Sequence, residues 1–354
     1  MNIKELEYSV DEYDKTKLIL EVSGNNINYC VMNSLRQASI GYIPTYALHP
    51  DKITIFKKND NKKSIYDDTY MKCRLSQLPI RNIDCKVEYL EQQYYKDIDF
   101  NNYEKHVDDD FEIEYFLNVK NDKNKMVLDI TTDDFIIKVN GKSIKNDLKV
   151  PILLIKLRPD EEFECSMKAV LSIGKSNSIF DTCNCYYEKI DDNKFNLVVD
   201  SNGQINEYVI LKKACDVIIN KLKIIEDNLK NNEANIRITD DNVIIIDFEN
   251  ENHMTIGIIN YLLQISEKTV DYSGITLYDG FLQNNIRLRL KTKKGISPFK
   301  ELYKAINNNI DIFKEFQNKI KIYILRHSSK KHFPNLFEIL FALSNNIICF
   351  HIIQ

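Results

Sequence analysis

The pattern of hydrophobic and polar positions near the start of the chain predicts a strand followed by an amphipathic helix. Residues 17–22 (KLILEV) form a short apolar run, and residues that favour turns and helix caps follow it. Apolar side chains then recur at helical spacing at Ile27, Val31, Leu35 and Ala38. Gly41 and Pro44 are typical of a helix end, and the alternation beyond them predicts a strand at 53–56.

A second, longer amphipathic pattern covers residues 207–229 and predicts a helix of about five turns. Its apolar stripe consists of Leu211, Cys215, Ile218, Leu222 and Ile225. The polar run that follows, residues 226–234, predicts a linker between two parts of the chain.

The same order of strand and helix patterns begins again after this run. Strand patterns occupy 243–248, 274–278 and 286–290, and a helical pattern occupies 255–265. A long helix is predicted from Pro298, because proline is favoured in the first turn of a helix. Its stripe includes Leu302, Ile306 and Ile310. Strand, helix, two strands and a long helix therefore occur twice, and packing the apolar helix faces together would bury both.

Between the first helix and the 207–229 helix, the chain is rich in strand patterns, at 111–119, 126–131, 135–139, 152–157 and 163–173. The dipeptide Asn140-Gly141 is typical of a hairpin turn. We therefore predict an α+β fold with two tandem sheet-and-helix domains, the first interrupted by a β-rich insert. The predicted boundaries are 1–83 with 151–232, 84–150 for the insert, 233–320, and a C-terminal extension at 321–354 to which no role is assigned.

Composition narrows the classes of function. The chain has 354 residues, 44% hydrophobic and 28% charged, which is typical of a folded protein of more than one domain. A net charge of −4 does not indicate a nucleic-acid or membrane partner for the whole molecule. The polar, acidic opening predicts no signal peptide, so the eight scattered cysteines are expected to be free thiols of a protein that is not secreted. No apolar window is long enough to predict a membrane span.

Candidate chemistry is sparse. Asp108–Asp110 and Asp133-Asp134 could bind Mg²⁺ in a phosphotransfer enzyme, but the three adjacent Asp side chains in a loop point in different directions. Phosphate loops, paired histidines and nucleophile motifs are absent from the sequence. We therefore predict no catalytic residue, no metal and no cofactor. A basic stretch remains open as a nucleic-acid contact, namely Arg287, Arg289, Lys291, Lys293 and Lys294.

Several motifs in the first part of the chain carry a resemblance to a known family. They are Asn33-Ser34-Leu35-Arg36 with Ile43-Pro44-Thr45, Arg74-Leu75 with Leu78-Pro79, and Leu157-Arg158-Pro159 with Gly174-Lys175. In this order they resemble the signatures of the α-like assembly subunits of multisubunit DNA-directed RNA polymerase, such as eukaryotic subunit three, its archaeal counterpart and the bacterial α amino-terminal domain. Ser172 and residues 178–181 depart from the family pattern around Gly174.

The second part resembles the smaller partner of that subunit, which is subunit eleven in eukaryotes and has its own archaeal counterpart. The motif Glu251-Asn252-His253 followed by Thr255-Ile256-Gly257 is similar to its E-D-H-T-L-G-N signature, with Met254 as an extra residue. A fusion of both partners in one chain resembles the arrangement in large cytoplasmic DNA viruses.

The resemblance implies a non-catalytic scaffold that pairs its own two halves and holds the two largest polymerase subunits and a small subunit-ten-like subunit. It implies that DNA is met only through the complex and that the protein lies in the virion and host cytoplasm, or in the nucleus or cytoplasm if it is not viral. The implied subunit-interface residues are Asn33, Ser34, Leu35, Arg36, Ala38, Pro44, Leu75, Leu78, Pro79, Leu211, Ile218, Leu222, His253, Thr255, Gly257, Leu302, Ile306 and Ile310. The implied contacts with the large subunits are Leu157, Arg158, Gly174 and Lys175. The alternative function is a free-standing nucleic-acid-binding module that uses the basic C-terminal part.

Overall fold

The computed structural model describes residues 1–11, 15–56, 66–81, 83, 85–100, 111–122, 127–146, 148–231, 235–240, 243–249, 251, 253–277 and 285–332. The side chains of residues 240 and 326–332 are not described. The strands are β1 Asn2–Val10, β2 Thr16–Ser23, β3 Thr45–Ala47, β4 Ile53–Phe56, β5 Ile113–Lys120, β6 Leu128–Thr131, β7 Ile136–Val139, β8 Lys142–Ile144, β9 Leu153–Leu157, β10 Glu162–Lys168, β11 Val170–Ser172, β12 Cys183–Asp191, β13 Lys194–Ser201, β14 Asn235–Asp240, β15 Val243–Phe248, β16 Val270–Leu277 and β17 Ile286–Thr292. The α-helices are α1 Tyr29–Gly41, α2 Asp68–Ser76, α3 Glu207–Lys230, α4 His253–Gln264 and α5 Pro298–His332.

Two four-stranded antiparallel sheets have the same strand order. The first sheet runs β1-β2-β13-β12 and the second runs β14-β15-β17-β16. In each, a short helix follows the second strand of the chain, and a long helix follows the last. We call β1, β2, α1, β12, β13 and α3 the first unit, and β14, β15, α4, β16, β17 and α5 the second unit. The mixed composition of helices and sheets agrees with an α+β fold.

The two helices of the first unit begin where the sequence supplies a cap. The Asn28 side chain accepts hydrogen bonds from the backbone N–H groups of Cys30 and Val31, at 2.9 and 3.1 Å. Asn206 does the same for α3 through Tyr208, at 3.0 Å. Each bond satisfies an N–H group that has no partner inside its helix. Pro298 is the first residue of α5, as predicted.

One apolar core joins the two units. α3 packs along α5, α1 contacts α3 and α4, and α4 contacts α5. The apolar side chains of all four helices and of the two sheets belong to a single cluster of buried residues, which we call the shared core. Because sheets and helices each have an apolar face that must be covered, the helices of one unit cover those of the other.

Residues 46–173, which we call the middle region, contain a separate buried cluster, the middle core. Its largest sheet has the order β4-β10-β5-β7-β8. The strands predicted inside the insert are present as β5, β6 and β7, and Asn140 and Gly141 have the positive φ angles of +50° and +75° that a tight hairpin turn needs. The sheet also takes in β4 and β10, so its core reaches beyond the predicted limits 84–150.

Some elements differ from the sequence-based expectation. The predicted linker 226–234 is wrong in its first half, because Glu226–Lys230 are the last residues of α3. The strands β1, β3, β8, β12, β13 and β14 and the helix α2 were not predicted. Of these, β1 and β14 lie at sheet edges and α2 buries only Met71, Leu75 and Ser76, so none of the three shows a strong apolar period. Within the described residues, no helix is long and apolar enough to cross a membrane.

Candidate functional site: the helix junction

The contact of α1 with α4 brings together the two motifs that the sequence singled out. The Ser34 hydroxyl donates a hydrogen bond to the backbone carbonyl of Met254, at 2.7 Å, and both residues are buried. Met254, an extra residue by comparison with the family signature, therefore lies at the junction itself. Asn33 has a local role, because its side-chain oxygen accepts from the guanidinium of Arg36 one turn away, at 3.1 and 3.3 Å.

The apolar residues predicted at the interface lie in the shared core. Each of them is 4% exposed or less: Leu35, Ala38, Leu211, Ile218, Leu222, Leu302, Ile306 and Ile310. In the second-unit motif, Thr255 is buried, Gly257 is half-buried and His253 is exposed at the first residue of α4. The structure thus places most of the predicted interface residues on helix faces that meet inside this chain.

A buried ion pair crosses the helix junction beside the apolar contacts. Lys221 Nζ, on α3, lies 3.2 and 3.3 Å from the two carboxylate oxygens of Glu251, which precedes α4. The side chains are only 5% and 16% exposed. The Lys221 ammonium also lies 5.3 Å from the ring centroid of Tyr42, a cation–π distance. Burial, followed by charges that include Glu251, raises the pKa of Tyr42.

A second polar contact joins the two long helices directly. The Gln317 amide on α5 donates a hydrogen bond to the carboxylate of Asp216 on α3. Lys221, Asp216 and Gln317 were not selected from the sequence, and Glu251 was selected only as part of the second-unit motif and not as an interface residue. A charged residue inside an apolar helical stripe, as at Lys221, is the signal that could have found the first pair.

Other predicted interface residues lie away from the helix junction. Pro44 is buried just after α1, and Leu75 is fully buried in the middle core. Leu78 and Pro79 are half-buried and line a cavity of about 950 Å³ between the first unit and the middle region. The structure therefore does not bring Leu75, Leu78 and Pro79 to the surface where the two units meet.

The residues predicted to contact large subunits divide by exposure. Leu157 is fully buried in the middle core, which leaves no side chain for another protein to contact. Arg158 and Lys175 are exposed. The backbone N–H of Lys175 donates to the carbonyl of Gly41, at 2.8 Å, so this loop lies on the end of α1. A Cβ atom at Gly174 would lie 2.9 Å from the Ile40 carbonyl oxygen, which explains the need for glycine.

The acidic residues considered for a metal site do not form one in the described structure. Asp108–Asp110 lie outside the described residues, whereas the Asp134 carboxylate accepts from the backbone N–H of Thr131 in a local capping box. In the part of the chain that the structure describes, no group of three or more His, Cys, Asp or Glu side chains could hold a metal ion.

The basic stretch on β17 is partly neutralised. Arg287 donates two hydrogen bonds to Asp247, at 2.6 and 2.9 Å, and Arg237 donates a third, at 2.9 Å. The hydrogen bond from Arg287, assisted by both positive charges, lowers the pKa of Asp247. Arg289, Lys291, Lys293 and Lys294 remain exposed.

Comparison with known proteins identifies a viral relative. No protein-family model matches the chain. The chain is 27% identical over 330 residues to a protein of Acanthamoeba polyphaga mimivirus whose provisional name is DNA-directed RNA polymerase subunit. The aligned part covers 86% of this chain and 90% of that protein, so the similarity extends through both units and the middle region.

Proposed function

We propose that this chain is a non-catalytic assembly subunit of a viral DNA-directed RNA polymerase. In this proposal the first unit corresponds to the larger α-like subunit, the second unit corresponds to its smaller partner, and together they scaffold the two largest, catalytic subunits. The observation that carries the proposal is the similarity to a mimivirus protein named as a polymerase subunit, over nearly the full length of both chains.

The helix junction supports the scaffold part of the proposal. Two units of the same strand order share one apolar core, and the Ser34–Met254 hydrogen bond joins the motifs that resemble the two family partners. Since both units belong to one chain, each meets the other at an effective concentration of roughly millimolar, as for modules joined by a short linker. Pairing of the units then precedes any encounter with a large subunit.

The outer surfaces would hold the other subunits. Arg158 and Lys175 are exposed and supply positive charge for carboxylates of a large subunit, while a small subunit-ten-like subunit would complete the platform. The residues that transfer nucleotides would belong to the large subunits, and DNA would be met only through the complex. We place this complex in the virion and the host cytoplasm.

Affinity purification of the tagged chain from infected cells, with partners identified by mass, tests this proposal. We expect two large polymerase subunits in near-equal amount with the chain. Arg158→Glu with Lys175→Glu should lower their recovery by about thirtyfold or more, because two charge reversals at a contact each cost on the order of 1 kcal/mol or more. Lys142→Glu, an exposed change on the hairpin of β7 and β8, is the matched control. Recovery of the chain without any large subunit would refute the proposal.

The exposed basic residues of β17 and the loop after it favour one competing function. Arg289, Lys291, Lys293 and Lys294 could contact a phosphate backbone in a free-standing nucleic-acid-binding module. That function requires the isolated chain to bind DNA with an affinity that falls steeply with salt. The scaffold function requires weak binding that is unaffected when these four residues are changed to glutamine.

A further inference from the structure

The two units can be aligned residue by residue at the helix junction. Leu211 on α3 and Leu302 on α5 each lie four residues after the first residue of their helix. Leu222 on α3 and Phe313 on α5 each lie fifteen residues after it. Met32 and Ile256 both lie three residues after the first residues of α1 and α4. Every one of these side chains is fully buried in the shared core. Position along the helices therefore identifies equivalent residues of the two units.

Under this alignment the buried ion pair has an apolar counterpart. Lys221 and Ile312 both lie fourteen residues after the first residue of their long helix. Glu251 and Ile27 both lie two residues before their short helix. Ile27 and Ile312 are 0% and 5% exposed and belong to the shared core. The junction is thus ionic at one crossing, Lys221 with Glu251, and apolar at the equivalent positions.

We propose that this asymmetry makes the two units pair with each other and prevents either unit from pairing with its own copy in a second chain. If two first units met in the same geometry, Lys221 of each would face Ile27 of the other. If two second units met, Glu251 would face Ile312. Each mismatch buries a charge without its counter-charge, and Lys221 keeps only the ring of Tyr42 in its own unit, which is far less favourable than the native pair.

The contact between α3 and α5 also disfavours the pairing of identical units. Asp216 on α3 and Asn307 on α5 are equivalent, because each lies nine residues after the first residue of its helix. Glu226 on α3 and Gln317 on α5 are equivalent in the same way, at nineteen residues. In this chain Gln317 donates to Asp216. Two first units would instead bring Asp216 toward Glu226 of the other copy. These carboxylates keep their own lysine neighbours, Lys212 and Lys230, so the repulsion is smaller than at the buried pair.

Any chain that holds two similar units must prevent them from pairing with the wrong partner. Both units expose apolar helix faces before they pair, and a neighbouring copy offers the same faces. Apolar contacts alone do not distinguish the correct partner from the copy, because apolar attraction is not directional. A buried charge pair does, because only one of the combinations satisfies both charges.

The test uses the full chain, labelled in one batch with ¹⁵N and unlabelled in another, and refolded as a mixture at high concentration. Chemical cross-linking and mass spectrometry then report contacts of α3 with α3, or α5 with α5, between differently labelled copies. Light scattering reports the dimeric fraction. For the parent chain we expect monomer and no such homotypic cross-links.

Two variants remove the difference between the two crossings, one by making both uncharged and the other by making both ionic. Lys221→Met with Glu251→Gln removes both charges and nearly conserves side-chain volume. Ile27→Glu with Ile312→Lys adds a second ion pair at the apolar crossing. In both variants a copy satisfies the junction as well as the native partner does. We expect homotypic cross-links to appear and the dimeric fraction to rise by at least roughly tenfold, since a buried unpaired charge no longer opposes association.

A third variant is the matched control. Lys221→Ile, Glu251→Ile, Ile27→Glu and Ile312→Lys together move the ion pair to the other crossing, restore the asymmetry and return the chain to monomer. If the second variant fails to fold, the volume-conserving first variant decides. Folded first and control variants that both remain monomeric, without homotypic cross-links, would overturn the proposal. That result would leave the polymerase proposal intact, because co-purification tests it separately.

Discussion

The shared core and the middle core are built in different ways. The shared core combines residues from both ends of the described chain, from Ile3 to Ile320, whereas the buried residues of the middle core all lie within 46–173. The first forms only when two units meet, and the second can form within one continuous stretch. We infer that damage to the shared core affects both units, while damage to the middle core stays local.

A charged residue introduced into either core tests this contrast. We expect it to have the largest effect on folding stability. Leu35 and Leu117 are 0% and 2% exposed, one in each core. Leu35→Asp should abolish soluble monomer, because burying an unpaired carboxylate costs a large part of the roughly 5–15 kcal/mol that holds a domain folded. Leu117→Asp should leave the amides of α3 and α5 slow to exchange in hydrogen-exchange mass spectrometry. Equal protection of both cores in the Leu35→Asp variant would contradict the comparison.

The ion-paired carboxylate of the second sheet should give the next largest effect. Arg287 and Arg237 lower the pKa of Asp247, so the folded state binds its proton less tightly than the unfolded state. This contribution to stability is present above the unfolded pKa and is lost as pH falls through the folded pKa. Asp247→Asn should cost about 1–3 kcal/mol at pH 7 and less below about pH 4. A loss in urea unfolding that does not change with pH would contradict this.

The carboxylate of Asp181, between the first unit and the middle region, should change folding stability with pH in the opposite direction. Burial raises its pKa to about 6. Its folded pKa lies above the unfolded value, so stability should fall as pH rises from about 4 through 6. Asp181→Asn should flatten this part of the pH profile of the thermal midpoint and raise the midpoint at neutral pH. An unchanged slope in the variant would show that other groups cause it.

The hydrogen bond between the units should give the smallest effect. Ser34→Ala removes the bond to the Met254 carbonyl and should cost about 0.5–1.5 kcal/mol, the usual range for a neutral hydrogen bond. Ser266→Ala is the matched control, because its hydroxyl donates at 2.8 Å to Leu262 within the same unit. Hydrogen exchange should quicken in both α1 and α4 for the first variant alone. Equal effects of the two variants would mean that the Ser34 bond has no role between units.

Strongly periodic segments could be predicted from the sequence. The helices α1 and α3 and the strands β2, β15 and β17 were expected close to their observed limits, because each buries one continuous apolar face. The start of α5 at Pro298 was also expected, but this helix continues to His332, past the predicted boundary at residue 320. The strands β1 and β14 were missed, since sheet-edge strands are held by backbone hydrogen bonds that any side chain permits. The central strand β13 was also missed, although its buried positions alternate. The last turn of α3 was assigned to a linker as well as to the helix because most of its residues are polar, although Leu229 in this turn is buried in the shared core.

The amino-acid pattern alone predicted two sheet-and-helix units, and it identified the apolar helix faces that require partners. The three-dimensional arrangement was needed to show that these faces cover each other, that Ser34 meets Met254, and that Leu75 and Leu157 belong to the middle core. It also paired Lys221 with Glu251, thirty residues apart. Apolar periodicity specifies that a face will be buried, but it does not specify which face covers it. That choice depends on the shape and charge of residues far apart in the chain.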